Sequence, residues 1–136
     1  MKDDDSREMK HPDSPNRLAG SRVLLVEDES LVAMLVEDSL VGMGCEVIGL
    51  ASKFSDAEQK ATSLSFDVAV LDVNLNGTQT LPIAEILFGR GIPFVFATGY
   101  GVDFLPVHLE TVPVLQKPFE KRELKRALCA ALDMKT

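Results

Sequence analysis

Cysteine is scarce in this chain, long apolar runs are missing, and basic side chains are nearly absent from its middle. Only Cys45 and Cys129 occur in 136 residues, far apart, without a CxxC spacing and without a histidine cluster near either. That usage argues against a disulfide framework and a zinc site, and predicts two buried thiols in a reducing compartment. No uninterrupted apolar run is longer than the six residues of Leu31 to Val36, and the opening twenty residues hold no apolar signal core. Neither secretion nor a membrane span is therefore expected, and a cytoplasmic location follows. The third shortage is of positive charge. Residues 23–116 hold three basic side chains (Lys53, Lys60 and Arg90) against thirteen acidic ones, whereas 1–22 balance at five each and 117–136 carry six basic and three acidic. With a net charge of −7 placed this way, nucleic acid is repelled by most of the surface. A divalent cation is attracted wherever carboxylates converge.

What is present is enough for one compact domain: 46% of the residues are hydrophobic, sufficient to fill an α/β-sized core. The opening segment, MKDDDSREMKHPDSPNRLAG, has two prolines and few apolar side chains. It cannot offset the entropy of its own ordering, so residues 1–20 read as a flexible tail and 21–136 as the folded unit. From Ser21 onward, apolar runs of strand length alternate with segments of helical period. Strands are expected at Val23 to Val26, Cys45 to Ala51, Phe66 to Leu71, Ile92 to Ala97 and Val112 to Leu115. Helices are expected from near Glu29 to a stop at Gly44, from a capping box at Ser55-Asp56-Ala57-Glu58 to near Ser65, from Thr80 to Gly89 and from Glu120 to Met134. Pro82 is tolerable because it falls in a first turn. Between the fourth and fifth strands the alternation breaks: Gly99, Gly101, Pro106 and Pro113 predict a loop or distorted turn, and a mobile element, where a fourth helix would sit.

Strands alternating with helices imply βαβ crossovers, hence an open parallel sheet between two helical layers. In such sheets the ligand crevice lies beyond the carboxyl ends of the strands. This sequence puts Glu27-Asp28 after the first strand, Asp72 after the third, Thr98 after the fourth, and Lys117 with Pro118 after the fifth. Provided that the first, third and fourth strands lie in the middle, three carboxylates, a hydroxyl and an ammonium converge. Clustered carboxylates resist ionisation without a compensating cation, and magnesium suits them because it is hard and pairs with phosphate oxygens. Asp72 is then a candidate nucleophile that forms an acyl phosphate, with Thr98 and Lys117 as further donors.

The segments VLLVEDE (23–29), VAVLDVNL (68–75), FVFATGY (94–100) and LQKPF (115–119) resemble the receiver domain of two-component response regulators, over residues 21–136. The resemblance implies a flavodoxin-like doubly wound sheet of five parallel strands in the order 2-1-3-4-5, here with a degenerate fourth helix. It implies Asp72 as phosphoacceptor. Asp28, Asp72 and the backbone carbonyl of Asn74 would bind Mg2+, with Glu27 reaching it through water, and Thr98 and Lys117 would serve switching and phosphoryl binding. It further implies a histidine kinase as donor and a histidine phosphotransfer or downstream signalling protein as partner, with neither nucleic acid nor membrane engaged. Such a domain is not an enzyme on a separate substrate; it assists its own phosphorylation and dephosphorylation. Val114 stands where many receivers carry an aromatic switch residue, and Tyr100 is the candidate substitute. The loop NLNGTQT lacks the usual proline. The stretch PFVFATGYG resembles a narrower group, the FAT GUY single-domain response regulators, associated with kinases of the HWE and related classes. A single domain of this kind switches protein contacts or drains phosphoryl groups. Phe104, Leu105 and Phe119 are candidates for apolar partner contact or for core packing.

Two rivals are weighed by the same residues. A haloacid-dehalogenase-type phosphohydrolase also uses an Asp with magnesium, but needs a second acid two residues on, where this chain has Asn74, and carries its nucleophile on the first strand. A pseudo-receiver that binds partners without phosphorylation could lose members of the set without penalty; here Asp28, Asp72, Thr98 and Lys117 are all present.

Overall fold

The computed structural model describes residues 18–100 and 105–134. In chain order its elements are β1 (Arg22–Val26), α1 (Ser30–Gly42), β2 (Glu46–Ala51), α2 (Phe54–Ser63), β3 (Val68–Asp72), β4 (Asn74–Leu75), β5 (Thr78–Gln79), α3 (Leu81–Gly89), β6 (Phe94–Thr98), a 3-10 turn (Val107–Leu109), β7 (Val114–Gln116) and α4 (Lys121–Asp133). The large sheet runs β2-β1-β3-β6-β7, all parallel, which is the expected 2-1-3-4-5 order of a flavodoxin-like receiver fold. The central strands β3 and β6 are buried at every residue, as the near-continuous apolar runs require of strands covered on both faces.

Alternation along each strand divides the core in two. Val23, Leu25, Val68, Val70, Val95 and Ala97 pack against α1 and α4 through Val36, Leu40, Leu124 and Leu128. Leu24, Val26, Ala69, Leu71, Phe94 and Phe96 pack on the opposite side against α2 and α3 through Ala57, Ala61, Ile83 and Leu87. Both layers leave the carboxyl ends of β1, β3, β6 and β7 on one edge of the sheet.

Several expectations are corrected at the boundaries. The capping box expected at Ser55 does not form: α2 opens at Phe54 with Lys53 as its N-cap, so Ser55 already lies inside the first turn. A reciprocal box opens α4 instead, between Glu120 and Glu123, where the Glu120 N–H donates to Glu123 Oε1 at 2.7 Å. Where a fourth full helix would normally sit, the described residues hold only the 3-10 turn Val107–Leu109. Residues 101–104, including Gly101 and Phe104 of the expected mobile element, lie outside the described residues. Leu105 and Phe119 pack against the two cores, the packing role offered for them.

The expected tail overlaps the fold at its last residues. Leu18 is fully buried, its carbonyl accepts from Ser21 N–H at 2.9 Å, and Gly20 N–H donates to Gly44 O at 2.8 Å. One leucine in a polar stretch has no periodicity to reveal that it is a core residue. The packed unit thus reaches back to Leu18; residues 1–17 of the expected tail lie outside the described residues. Cys45 and Cys129 are both buried and unbridged. Burial, with Cys129 nearby, pushes the Cys45 thiol up to about 11. Among the described residues no helix is long and apolar enough to cross a membrane.

Candidate functional site

Because β1, β3, β6 and β7 are parallel neighbours, the residues that end them meet at one edge. Asp72 is the last residue of β3 and pairs in register with Ala97, one residue before Thr98 closes β6. Thr98 pairs with Gln116, and its carbonyl accepts from Lys117 N–H at 2.8 Å, which fixes the lysine directly beside the threonine. Glu27 follows β1, held by its N–H to Ala51 O at 3.0 Å.

The side chains converge as expected from their strand ends. Lys117 Nζ lies 2.7 Å from Glu27 Oε1 and 3.0 Å from Asp72 Oδ2. The second Glu27 oxygen accepts from Glu29 N–H at 3.0 Å. Glu27, Asp28 and Asp72 each offer a carboxylate oxygen within 4.8 Å of the others'. Glu27, Asp72 and Thr98 are buried, and the Thr98 hydroxyl accepts from Tyr100 N–H at 3.1 Å.

Three carboxylates around one ammonium leave an excess of negative charge in a poorly hydrated place. Burial pushes the Asp72 carboxyl up, and although the Lys117 hydrogen bond opposes this, the Glu27 charge adds to it, so it rises from 3.8 to about 7. Asp28 goes the other way: burial would raise it, but the Asn76 N–H and the neighbouring carboxyls together hold it below the ordinary value. Burial would lower Lys117, and its hydrogen bonds to Glu27 and Asp72 outweigh that and raise it. The uncompensated charge on clustered hard oxygen donors fits a divalent cation of the magnesium type, which takes one or two carboxylates and keeps several waters.

The proline-free loop NLNGTQT begins two residues after Asp72. It is a tight antiparallel hairpin in which β4 pairs Asn74 with Gln79 and Leu75 with Thr78. Its turn residues Asn76 and Gly77 have φ of 50° and 89°. The Asn-Gly dipeptide between two short extended pieces is the signal that could have shown it, since such a turn needs positive φ twice. The hairpin faces the site: Asn76 N–H donates to Asp28 Oδ2 at 2.9 Å, and Asn74 N–H points at Asp72 Oδ1 at 3.5 Å. The Asn74 side chain is used internally, accepting from Gly77 N–H at 2.7 Å. Thr80, which follows the hairpin, was read only as the start of a helix, yet it is a fully buried polar residue next to the site. Tyr100, the candidate aromatic switch, is 98% exposed, and Val114 is partly exposed on the edge strand.

Comparison with known proteins bears directly on this arrangement. The family model for the response regulator receiver domain matches residues 23–129. The solution structure of SdrG from Sphingomonas melonis Fr1 superposes with a TM-score of 0.73 at 40% identity, covering 83% of this chain and 97% of that one. A solution structure of SdrG from Pseudomonas melonis Fr1 in a BeF3-activated conformation gives a TM-score of 0.69 at 41% identity over 84% of this chain and 98% of that one. The phyllosphere-induced regulator PhyR of Methylorubrum extorquens is 29% identical over 116 residues, 82% of this chain and 43% of its own length. A protein-glutamate methylesterase of Archaeoglobus fulgidus is 44% identical over 69 residues, 51% of this chain but 20% of that enzyme. The chain thus spans less than half the length of these two curated relatives.

Proposed function

The chain belongs to the response regulator receiver domain family, and we propose that it acts there as a phosphoacceptor, with Asp72 receiving the phosphoryl group from a histidine kinase. The observation that carries this reading is the buried Asp72 carboxyl held 3.0 Å from Lys117 Nζ, with Glu27 and Asp28 gathered around it. In the transfer, an Asp72 carboxylate oxygen forms a bond to phosphorus while the phosphorus–nitrogen bond of the donor phosphohistidine breaks, its electron pair leaving with the imidazole. Asp72 must be ionised to attack, and Asp28, Asp72 and the Asn74 carbonyl are the groups that would hold Mg2+, with Glu27 reaching it through water. When bound, that ion supplies the positive charge that ionises the cluster and neutralises the transferring group. Lys117 is already aimed at Asp72, so its ammonium passes to a phosphoryl oxygen with little reorganisation. Thr98, at the end of the neighbouring strand, offers its hydroxyl to another phosphoryl oxygen and gives up the bond from Tyr100 N–H. That exchange biases the segment that follows between two arrangements.

The domain so used is residues 21–136 of the sequence reading, with residues 18–20 packed onto it and those before them as an appended segment, working in the cytoplasm. The near-complete overlap with the SdrG chain and the PFVFATGYG stretch support a single-domain regulator of the FAT GUY group, with a kinase of the HWE or a related class as donor. Its output is a changed protein contact, with a phosphotransfer or downstream signalling protein, or the drainage of phosphoryl groups from the kinase. Adding beryllofluoride with Mg2+ tests the site without a kinase. Amide shifts centred on Asp72, Thr98 and Lys117, and extending past Leu105, are expected. A spectrum unchanged from that with Mg2+ alone would contradict the proposal.

A further inference from the structure

The buried polar side chains among the described residues are Glu27, Asp72, Thr98 and Thr80, and the first three belong to the site. Thr80 has no part in the transfer as read above. It stands at the N-cap of α3, where a threonine ordinarily accepts a hydrogen bond from an amide of the first turn. No such bond exists here, and Pro82 in that turn has no N–H to offer. The Thr80 hydroxyl turns back instead, 2.6 Å from the carbonyl oxygen of Asp72 and 3.1 Å from that of Val73. The Val73 carbonyl also accepts from Thr80 N–H at 2.9 Å, and the shorter of the two hydroxyl contacts assigns the single hydroxyl proton to Asp72. The short distance agrees with that assignment.

We infer that Thr80 is a positioning residue for the phosphoacceptor site: its buried hydroxyl pins the Asp72 carbonyl and closes the base of the Asn74–Gln79 hairpin. This inference rests on the functional reading above. Two parts of the cation site hang from that pin. The Asp72 backbone sets the direction of its own carboxyl and, two residues on, of the Asn74 carbonyl. The hairpin tip reaches across to Asp28 through Asn76 N–H. In a chain whose loop lacks a rigidifying proline, a buried hydroxyl with a turn of fixed φ supplies the stiffness. Groups that hold metal ligands in place change metal affinity when removed, although they never touch the ion.

The test is Mg2+ titration of the full chain, followed by amide shifts, for wild type, Thr80→Val and Thr80→Ser. Valine keeps the shape and deletes the donor; serine keeps the donor and deletes the methyl. A folded Thr80→Val with Mg2+ affinity reduced about ten-fold, and a Thr80→Ser close to wild type, is the expected result. Wild-type affinity in a folded Thr80→Val overturns the inference. Should the valine variant not fold, Thr80→Ala beside Thr80→Ser decides: a loss of about ten-fold in the alanine variant with wild-type affinity in the serine variant supports the hydroxyl as the pin, and equal affinity in the two overturns it. A wild type that binds no Mg2+ overturns the functional reading and this inference with it, and is distinguishable because it appears before any substitution is made.

Discussion

The segments that follow Asp72 and Thr98 leave neighbouring strands of the sheet and, among the described residues, are held in different ways. Between Asp72 and Leu81 the chain forms the closed Asn74–Gln79 hairpin, tied by the Asn76 bond to Asp28, the Gly77 bond to Asn74 and the Thr80 bond to Asp72. After Thr98 the described residues are held by the fully buried Leu109, by Leu105 at the core margin, and by an exposed pair, His108 Nε2 to Glu85 Oε1 at 2.8 Å, with His108 edge-on to Phe88. On the function proposed above, the difference separates two tasks. A loop that presents ligands must keep one geometry, whereas a segment that reports on the site must have two arrangements of similar energy, which a 3-10 turn with one deep anchor permits more readily than a full helix.

The comparison can be broken hardest at Lys117, the contact shared by both sides. Lys117→Ala leaves Glu27 and Asp72 without their ammonium. The variant is expected to take up phosphoryl groups weakly and to fail to switch, seen as unchanged amide shifts beyond Leu105 after phosphorylation. Wild-type shifts in that segment would refute it. Next in size is the deep anchor: Leu109→Ala should cost about 2–5 kcal/mol in denaturant unfolding, because the residue is fully buried. A loss below about 1 kcal/mol would show that the segment is not anchored there.

A smaller effect comes from Asp72 in the metal-free protein. Its carboxyl is raised from 3.8 to about 7 in the fold, so between those values the folded state binds more protons than the unfolded state. Stability should therefore fall as pH rises from about 4 to about 7, and above about 7 the cost is fully present and the dependence levels off. Asp72→Asn removes the titrating group and should flatten that dependence while raising the metal-free melting temperature above wild type at pH 8. A variant that melts lower at pH 8 would show that the carboxyl is structural. The smallest change is expected from His108→Ala, whose exposed pair with Glu85 is worth about 0–1 kcal/mol. A larger loss would mean that the second loop is fastened more firmly than its contacts indicate.

The sequence carried the sheet and the site because both are written in strong signals. Five apolar runs of strand length announce the five strands, the central ones covered on both faces, and Glu27, Asp28, Asp72, Thr98 and Lys117 each sit one or two residues beyond such a run. Their convergence could be placed without knowing a single contact. What escaped was held by weaker marks. Leu18 is one leucine in a polar stretch, and no period betrays its burial. The hairpin strands are two residues each, too short for alternation, so only Asn76-Gly77 could reveal them. Ser55 satisfied the capping pattern, but the apolar Phe54 before it was drawn into the helix, and packing overrode the local preference. Thr80 was legible as a helix start and not as a donor to Asp72, because its partner lies eight residues back across a fold that only the structure closes.

The central claim, that Asp72 accepts a phosphoryl group, is tested most directly by intact-protein mass after incubation with Mg2+ and acetyl phosphate, wild type beside Asp72→Asn. The account predicts a gain of one phosphoryl group in the wild type and none in the variant. Equal gain in both, or no gain in a folded wild type with either acetyl phosphate or a phosphorylated histidine kinase, would contradict it.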